Sequence, residues 1–171
     1  IPGPRVLYMG AIARWIDHEM MAEVARAMPD VSFVWIGPGK LASGGDLPNV
    51  HVLGPRSYRD LPGYLQHASA GVIPFNRASH ADLVNAVNPL KLYEYAAAGL
   101  PIVATPTAEI RRIGGPVRLA DDAAGFVAAL REAISAPEAR QTLQAFAASA
   151  SWDRRTAPLL ARLGLVEGSA A

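Results

Sequence analysis

The sequence predicts an α/β fold, a Rossmann-like doubly wound parallel sheet with helices on both faces. Short apolar runs alternate with helical patterns along almost the whole chain. Each run is apolar throughout rather than at every second residue, which is typical of strands buried on both faces. Alternation of such strands with helices favours a parallel sheet, because parallel neighbours need a crossover connection that is usually helical.

The first half of the chain contains four predicted strands, over residues 5–9, 31–37, 50–53 and 71–75. The second of these runs is rich in β-branched and aromatic residues, and a glycine-proline-glycine turn at residues 37–39 ends it. Asp17 is expected to cap a helix between the first two strands. A further helix is predicted over residues 58–67.

The second half contains two more predicted strands and four predicted helices. The strands cover residues 102–105 and 117–120, and the helices cover residues 88–98, 121–135, 138–149 and 152–163. Pro158 is expected to kink or interrupt the last helix. The polar residues 76–85 favour a mobile loop that lines a cleft. Residues 1–164 form one predicted domain, and residues 165–171 form a predicted loose tail.

The composition excludes several classes of site. The formal net charge of the 171 residues is +1, which gives no electrostatic basis for nucleic acid as a partner. The chain has no cysteine, so disulfides and thiolate nucleophiles are excluded. The four histidines are scattered, so we predict no metal site and no cofactor. No glycine-rich dinucleotide motif follows the first strand, which argues against an NAD-binding domain.

The start of the helix predicted at residues 88–98 is the candidate ligand site, because ligands of doubly wound sheets bind where strands end and helices begin. Asn88 is expected to be its N-cap and Pro89 its first residue, and Gly99 is placed to end it. Free backbone N–H groups and the positive end of the helix dipole suit an anion such as a diphosphate. Lys91 in the first turn adds a positive charge.

Glu94 lies three residues after Lys91 and therefore shares a face of the predicted helix with it. Its carboxylate could accept hydrogen bonds from two vicinal ribose hydroxyls, so phosphate and ribose recognition would lie side by side. The alternative for these two residues alone is a solvent-exposed pair on the helix surface, which is the commoner arrangement.

Seven short segments of the chain form an ordered set. They are VLYMGAI at residues 6–12, PDVSFVWIGPG at 29–39, LPNVHVLG at 47–54, YRDLPGYL at 58–65, GVIPF at 71–75, NPLKLYEYAAAGLPIVAT at 88–105 and SWDRR at 151–155. Together, and in this order, they resemble the C-terminal, donor-binding domain of GT-B-fold glycosyltransferases of group 1 (family 4). The segment at residues 88–105 is the most diagnostic.

The resemblance implies an enzyme that moves a sugar from a UDP- or GDP-sugar to a glycan or lipid-linked acceptor, with retention of anomeric configuration. It also implies an N-terminal acceptor-binding domain that is absent from this chain. The implied location is cytoplasmic, and a membrane-associated acceptor at the inner face of the cell membrane stays open. Two alternatives also stay open: a non-catalytic binding module derived from this fold, and a nucleotide-sugar epimerase.

The resemblance also implies roles for residues of the predicted helix. Glu94 matches the second glutamate of the family's E-x7-E motif, which binds the donor ribose. The first glutamate would fall at Ala86, so this chain lacks one expected contact with the transferred sugar. The backbone N–H groups of Asn88, Leu90 and Lys91 are then the expected phosphate contacts, with the Lys91 side chain as the cation.

Loops supply the other expected donor contacts. The family holds the diphosphate with basic residues after its first strand, and here Gly10 is followed by Arg14. His18 stands where a second basic residue would fall, and we predict instead that it is an exposed helix residue. Arg56 lies in the loop expected to contact the base. Lys91 and Arg14 would stabilise the departing diphosphate.

Overall fold

A computed structural model describes residues 1–163 and residue 165. It contains, in chain order, β1 (Arg5–Met9), α1 (His18–Ala27), β2 (Ser32–Ile36), β3 (Val50–Gly54), a 3₁₀ turn (Tyr58–Asp60), α2 (Leu61–Gln66), β4 (Ala70–Ile73), α3 (Arg77–Ala86), α4 (Leu90–Ala97), β5 (Ile102–Ala104), α5 (Ala108–Ile113), β6 (Val117–Leu119), α6 (Ala123–Ser135), α7 (Arg140–Ser149) and α8 (Trp152–Arg162). Apart from Leu165, the predicted tail lies outside the described residues.

The six strands form one parallel sheet in the order β3-β2-β1-β4-β5-β6. The chain winds outwards from β1 to β3 and then returns to β4, beside β1, to wind the other way. This order puts helices on both faces and opens a crevice between the carboxyl ends of β1 and β4. The predicted fold class is therefore confirmed, and all six predicted strands are present.

The core lies between the central strands and the helices that cover them. All residues of β2, β4 and β5 are buried, as are all of β1 after its first residue. Fully buried side chains of the covering helices include Val24 of α1, Tyr95 of α4, and Phe126 and Leu130 of α6. Burial on both faces explains why these strands are apolar at every position.

Helix α3 (Arg77–Ala86) occupies the segment predicted as a loop over residues 76–85, so the predicted loop is wrong. Asn76 caps α3 by accepting a hydrogen bond from the N–H of Ser79 (2.9 Å), and Val84 is fully buried. The backbone departs from helical geometry at His80, inside this helix. The cap, the buried Val84 and a hydrogen bond from the N–H of Ala108 to the side chain of Asn85 (2.9 Å) order a segment whose polarity indicated a loop.

Two further predictions need correction. The predicted helix at residues 58–67 is a 3₁₀ turn followed by the short α2. Helix α8 continues through Pro158, so the predicted interruption there is wrong. The proline leaves the carbonyl of Arg154 without a helical donor, but Arg154 is exposed, so water can hydrate that carbonyl. Helix α5 was not predicted; Thr107 caps it and Ile110 anchors it in the core.

Candidate functional site

The loops after β1 and β2 meet at the bottom of the crevice. The N–H of Gly10 donates to the carbonyl of Ile36 (2.8 Å), and the N–H of Ile12 donates to that of Pro38 (2.7 Å). Gly37 has φ +143°, and a Cβ there would lie 1.9 Å from the carbonyl oxygen of Gly10. Only glycine fits this approach, so the two loops form a narrow floor made of backbone.

Lys91 lies against this floor. A Cβ on Gly10 would lie 3.3 Å from the Lys91 Nζ atom, so the missing side chain of Gly10 makes room for the ammonium group. The Nζ atom is 5.1 Å from the ring centroid of Tyr8 and 5.7 Å from that of Phe75. Burial lowers the pKa of Lys91, and the charge of Glu94 partly opposes that effect. The cation is thus held against apolar surroundings, and it forms no salt bridge with any described residue.

Two buried tyrosines fix the end of β1 beneath Lys91. The hydroxyl of Tyr8 donates to the carbonyl of Ala11 (2.7 Å), which pins the loop that follows β1. The hydroxyl of Tyr95 accepts from the N–H of Met9 (2.9 Å) and ties α4 to the same strand. Neither hydroxyl was singled out from the sequence, yet together they set the distance between the loop and the helix start.

Helix α4 begins one residue later than predicted. Pro89 is the N-cap and Leu90 the first helical residue, and no side chain caps the helix. Asn88 instead donates its amide to Glu109 (3.2 Å), so its predicted capping role is wrong. The N–H groups of Leu90 and Lys91 receive no partner from the described residues. These two donors point out of the helix start beside the lysine, as an anion site requires.

Glu109 holds the residue that precedes the N-cap of α4 in place, a role that the sequence analysis does not predict. It accepts hydrogen bonds from Arg112 at 2.7 and 2.6 Å as well as from Asn88, and the Arg112 bonds are the main reason that its pKa is lowered. The Glu109 side chain is only 16% exposed. The Asn88 Oδ1 atom is buried and accepts no hydrogen bond within the described part of the chain.

Glu94 lies one turn beyond Lys91 and is half-buried. Its Oε1 atom accepts a hydrogen bond from the hydroxyl of Tyr58, 3.3 Å away. Two clefts meet at this pair. One, of about 590 Å³, lies between α4, α7 and the start of α8; the other, of about 420 Å³, extends between α2 and α4. Both volumes lie in the range of small-molecule sites.

A third cleft, of about 280 Å³, lies between α3 and the start of α4 and is lined by Lys91, Leu90 and Asn88. The exposed face of α4 is therefore bordered by open space at the lysine and at the glutamate. A separate cleft of about 380 Å³ is lined mostly by apolar residues beside β1 and α2, and it contains none of the predicted site residues.

The predicted basic residues of the loops do not converge as Lys91 and Glu94 do. Arg14 is exposed in the loop after β1 and forms no salt bridge with the described residues. Arg56 donates to the hydroxyl of Tyr64 and to the carbonyl of Pro55, both at 3.0 Å, and is held near α2. Ala86 is exposed at the end of α3, with no carboxylate in its place.

His18 is buried, so the prediction of an exposed helix residue is wrong. Its Nδ1 atom accepts from the N–H of Ala42 (2.9 Å), and its Nε2 atom lies 3.1 Å from the carbonyl oxygen of Ala13. One ring nitrogen accepting and the other donating fits a neutral imidazole, and burial lowers the pKa of His18 accordingly. Both nitrogens are engaged, so His18 joins two loops rather than presenting a charge.

The described residues contain no group of three histidine, aspartate or glutamate side chains placed to hold a metal ion. No helix in that part of the chain combines the length and apolarity needed to cross a membrane.

Two curated proteins are similar to this chain in sequence. The first is the "putative teichuronic acid biosynthesis glycosyltransferase TuaH" of Bacillus subtilis (strain 168), 36% identical over 106 residues, which cover 57% of this chain and 25% of the relative. The second is a "UDP-glucuronate:glycolipid 2-beta-glucuronosyltransferase" of Xanthomonas campestris pv. campestris, 30% identical over 129 residues, which cover 72% and 31%. The chain thus spans about a quarter to a third of the relatives it matches.

Solved structures with the same fold include HepE of Anabaena in complex with UDP and glucose, with a TM-score of 0.69 and 15% identity over 95% of this chain and 48% of that one. A sucrose-phosphate synthase of Thermosynechococcus elongatus matches 94% of this chain and 44% of its own, with a TM-score of 0.68 and 19% identity. The family model for glycosyl transferases group 1 matches residues 3–136. The chain therefore belongs to the group 1 glycosyltransferase family.

Proposed function

We propose that this chain is the donor-binding part of an enzyme that transfers a sugar from a nucleotide diphosphate sugar to a glycan or lipid-linked acceptor. The observation that carries the proposal is the position of Lys91. It is a partly desolvated cation beside two free N–H groups at a helix start, in the crevice of a doubly wound sheet. Glu94 lies one turn away on the same helix.

The phosphate half of the proposed site consists of Lys91, the N–H groups of Leu90 and Lys91, and the backbone around Gly10. The helix dipole and the free donors attract an anion, and the low polarity around Lys91 strengthens its attraction to phosphate. Arg14 is exposed and unpaired with any described acid, so it can approach as a second cation. Asn88 and Pro89 complete the donor segment by setting where α4 begins.

The ribose half consists of Glu94, whose carboxylate lies about one helical turn, or 5 Å, beyond the phosphate donors. A carboxylate can accept from two vicinal hydroxyls at once, which fits a ribose and not a deoxyribose. Arg56 is the proposed contact to the base, because its loop follows β3 near Tyr58. Lys91 and Arg14 would stabilise the charge that develops on the departing diphosphate.

The acceptor and any catalytic base are proposed to belong to a separate N-terminal domain, so this chain alone would bind donor weakly and catalyse nothing. We propose a UDP-sugar as donor, because one relative is named for UDP-glucuronate and HepE was solved with UDP. The name of the Xanthomonas relative specifies a glycolipid acceptor, which supports a membrane-associated acceptor here.

Isothermal titration calorimetry of the 171-residue chain with UDP and GDP tests this proposal. We expect UDP to bind and Glu94→Ala to weaken its binding. Glu23→Ala changes an exposed residue of α1 and should leave the affinity for UDP unchanged. Absence of binding by either nucleotide at millimolar concentration would refute donor binding.

An assay of the enzyme together with its proposed N-terminal domain separates the two alternatives. Normal function of Glu94→Ala would favour a non-catalytic module, and release of epimerised sugar nucleotide would favour an epimerase.

A further inference from the structure

Tyr58 is 74% exposed, which is more than any other large hydrophobic residue in the described part of the chain. It begins the 3₁₀ turn after β3, where the side chain of Ser57 accepts from the N–H of Arg59. An exposed ring at such a turn gains little from packing. Its position therefore calls for an explanation other than the core.

The hydroxyl of Tyr58 supplies that explanation. It donates to Oε1 of Glu94 at 3.3 Å, and this bond joins two segments 36 residues apart in the chain. The bond is long and exposed, so it can be exchanged for another at little cost. Glu94 Oε2 accepts no hydrogen bond from the described residues. The carboxylate is thus held by one oxygen and open at the other.

The surroundings of the pair point to a ligand. Tyr58 and Glu94 line both the cleft of about 590 Å³ and the cleft of about 420 Å³, so the bond between them lies at the junction of the two. A molecule that binds Glu94 from either cleft therefore lies beside Tyr58. The negative charge of Glu94, and then the hydrogen bond, raise the pKa of the Tyr58 hydroxyl.

We propose that Tyr58 is a donor-site residue whose hydroxyl holds the Glu94 carboxylate in the unliganded protein and yields it to the ribose when a nucleotide binds. This inference rests on the proposed function. When the two vicinal hydroxyls bridge the carboxylate, one to each oxygen, the ribose takes the place on Oε1 that the Tyr58 hydroxyl holds in the empty site. The bond occupies Oε1 while the site is empty and is exchanged for a ribose contact when the site fills.

Calorimetry with UDP and with 2′,3′-dideoxy-UDP separates the hydroxyl of Tyr58 from its ring. Tyr58→Phe keeps the ring and removes the competing donor, so we expect UDP to bind about three- to tenfold more tightly. Dideoxy-UDP cannot displace Tyr58, so its affinity should not change. Equal or weaker binding of UDP by Tyr58→Phe, or an equal gain for both ligands, would overturn the inference while leaving donor binding intact.

A second measurement needs no nucleotide. The ultraviolet absorbance of tyrosinate is followed as the pH is raised, and the Tyr58→Phe protein identifies the part of the signal that comes from Tyr58. Tyr58 should ionise at lower pH in Glu94→Ala than in the wild type, because the charge of Glu94 raises its pKa. No difference would show that the contact is absent in solution, and the inference would fall. If the contact is present but no variant binds UDP, the proposed function fails instead, and the ribose exchange fails with it.

Discussion

Replacing Lys91 by methionine removes one positive charge from the crevice and keeps most of the side-chain volume that packs near Tyr8 and Phe75. The backbone of the helix start is unaffected, because both residues favour a helix equally well. Any change in nucleotide affinity therefore reports on the ammonium group rather than on the fold.

The structure sets the size of the expected loss. Loss of a hydrogen bond to a charged group costs about 1.5–3 kcal/mol. Opposite charges 4 Å apart interact by about 4 kcal/mol at an effective dielectric constant near 20, which is an upper limit for a half-buried site. Since about 1.4 kcal/mol corresponds to a tenfold change, UDP should bind about 10- to 100-fold more weakly to Lys91→Met.

Stability should move in the opposite direction from affinity. Burial lowers the pKa of Lys91, so the charged form is disfavoured in the folded protein relative to the unfolded chain. Removing the charge should therefore raise Tm, or leave it unchanged, at neutral pH. Any gain should disappear as the pH rises from the lowered pKa through the ordinary lysine range, because the wild-type side chain then becomes neutral in both states.

Titration calorimetry and thermal unfolding of the same samples measure both effects. Arg26→Met is the matched control. Arg26 is exposed in the last turn of α1, and α1 ends at the amino ends of the parallel strands, away from the crevice at their carboxyl ends. It should lose one charge without losing affinity for UDP. Unchanged affinity in Lys91→Met, or an equal loss in Arg26→Met, would refute the assignment of Lys91 to the diphosphate.

Three further predictions concern the frame of the site and are checked by urea unfolding. Gly37→Ala should cost at least about 2 kcal/mol, because its Cβ would overlap the carbonyl of Gly10. Val84→Ala should cost about 1–3 kcal/mol and Leu83→Ala, at a 46% exposed position, about 0.5 kcal/mol or less; equal effects would contradict the ordered α3. Glu109 has a lowered pKa, so acidification below the ordinary glutamate range should destabilise the wild type more than Glu109→Gln, and parallel acid curves would exclude its role.

The sheet could be predicted because its signal is local. Strands buried on both faces need apolar residues at every position, and this pattern is visible in any short window. Gly99 was placed correctly as the end of α4, where it has φ +68°, because a left-handed residue at a helix end favours glycine. Lys91 and Glu94 were assigned to one helix face from spacing alone.

The errors and omissions at the site concern side chains whose partners are distant in the chain. Asn88 was expected to cap α4, but Glu109, 21 residues later, takes its amide. The pattern predicts an exposed His18, but the N–H of Ala42, 24 residues away, donates to its ring. The contact between Tyr58 and Glu94 spans 36 residues. Capping preferences and charge patterns carry no information about such partners, so these contacts follow only from the folded chain.

The most direct test of donor binding is a titration of the ¹⁵N-labelled chain with UDP, followed by the shifts of its backbone amide signals. If the nucleotide binds in the crevice, the largest changes should fall on Gly10, Leu90, Lys91 and Glu94, and Lys91→Met should reduce all of them at equal UDP concentration. Changes centred on the apolar cleft beside β1 and α2, with these four amides unmoved, would contradict the proposed site.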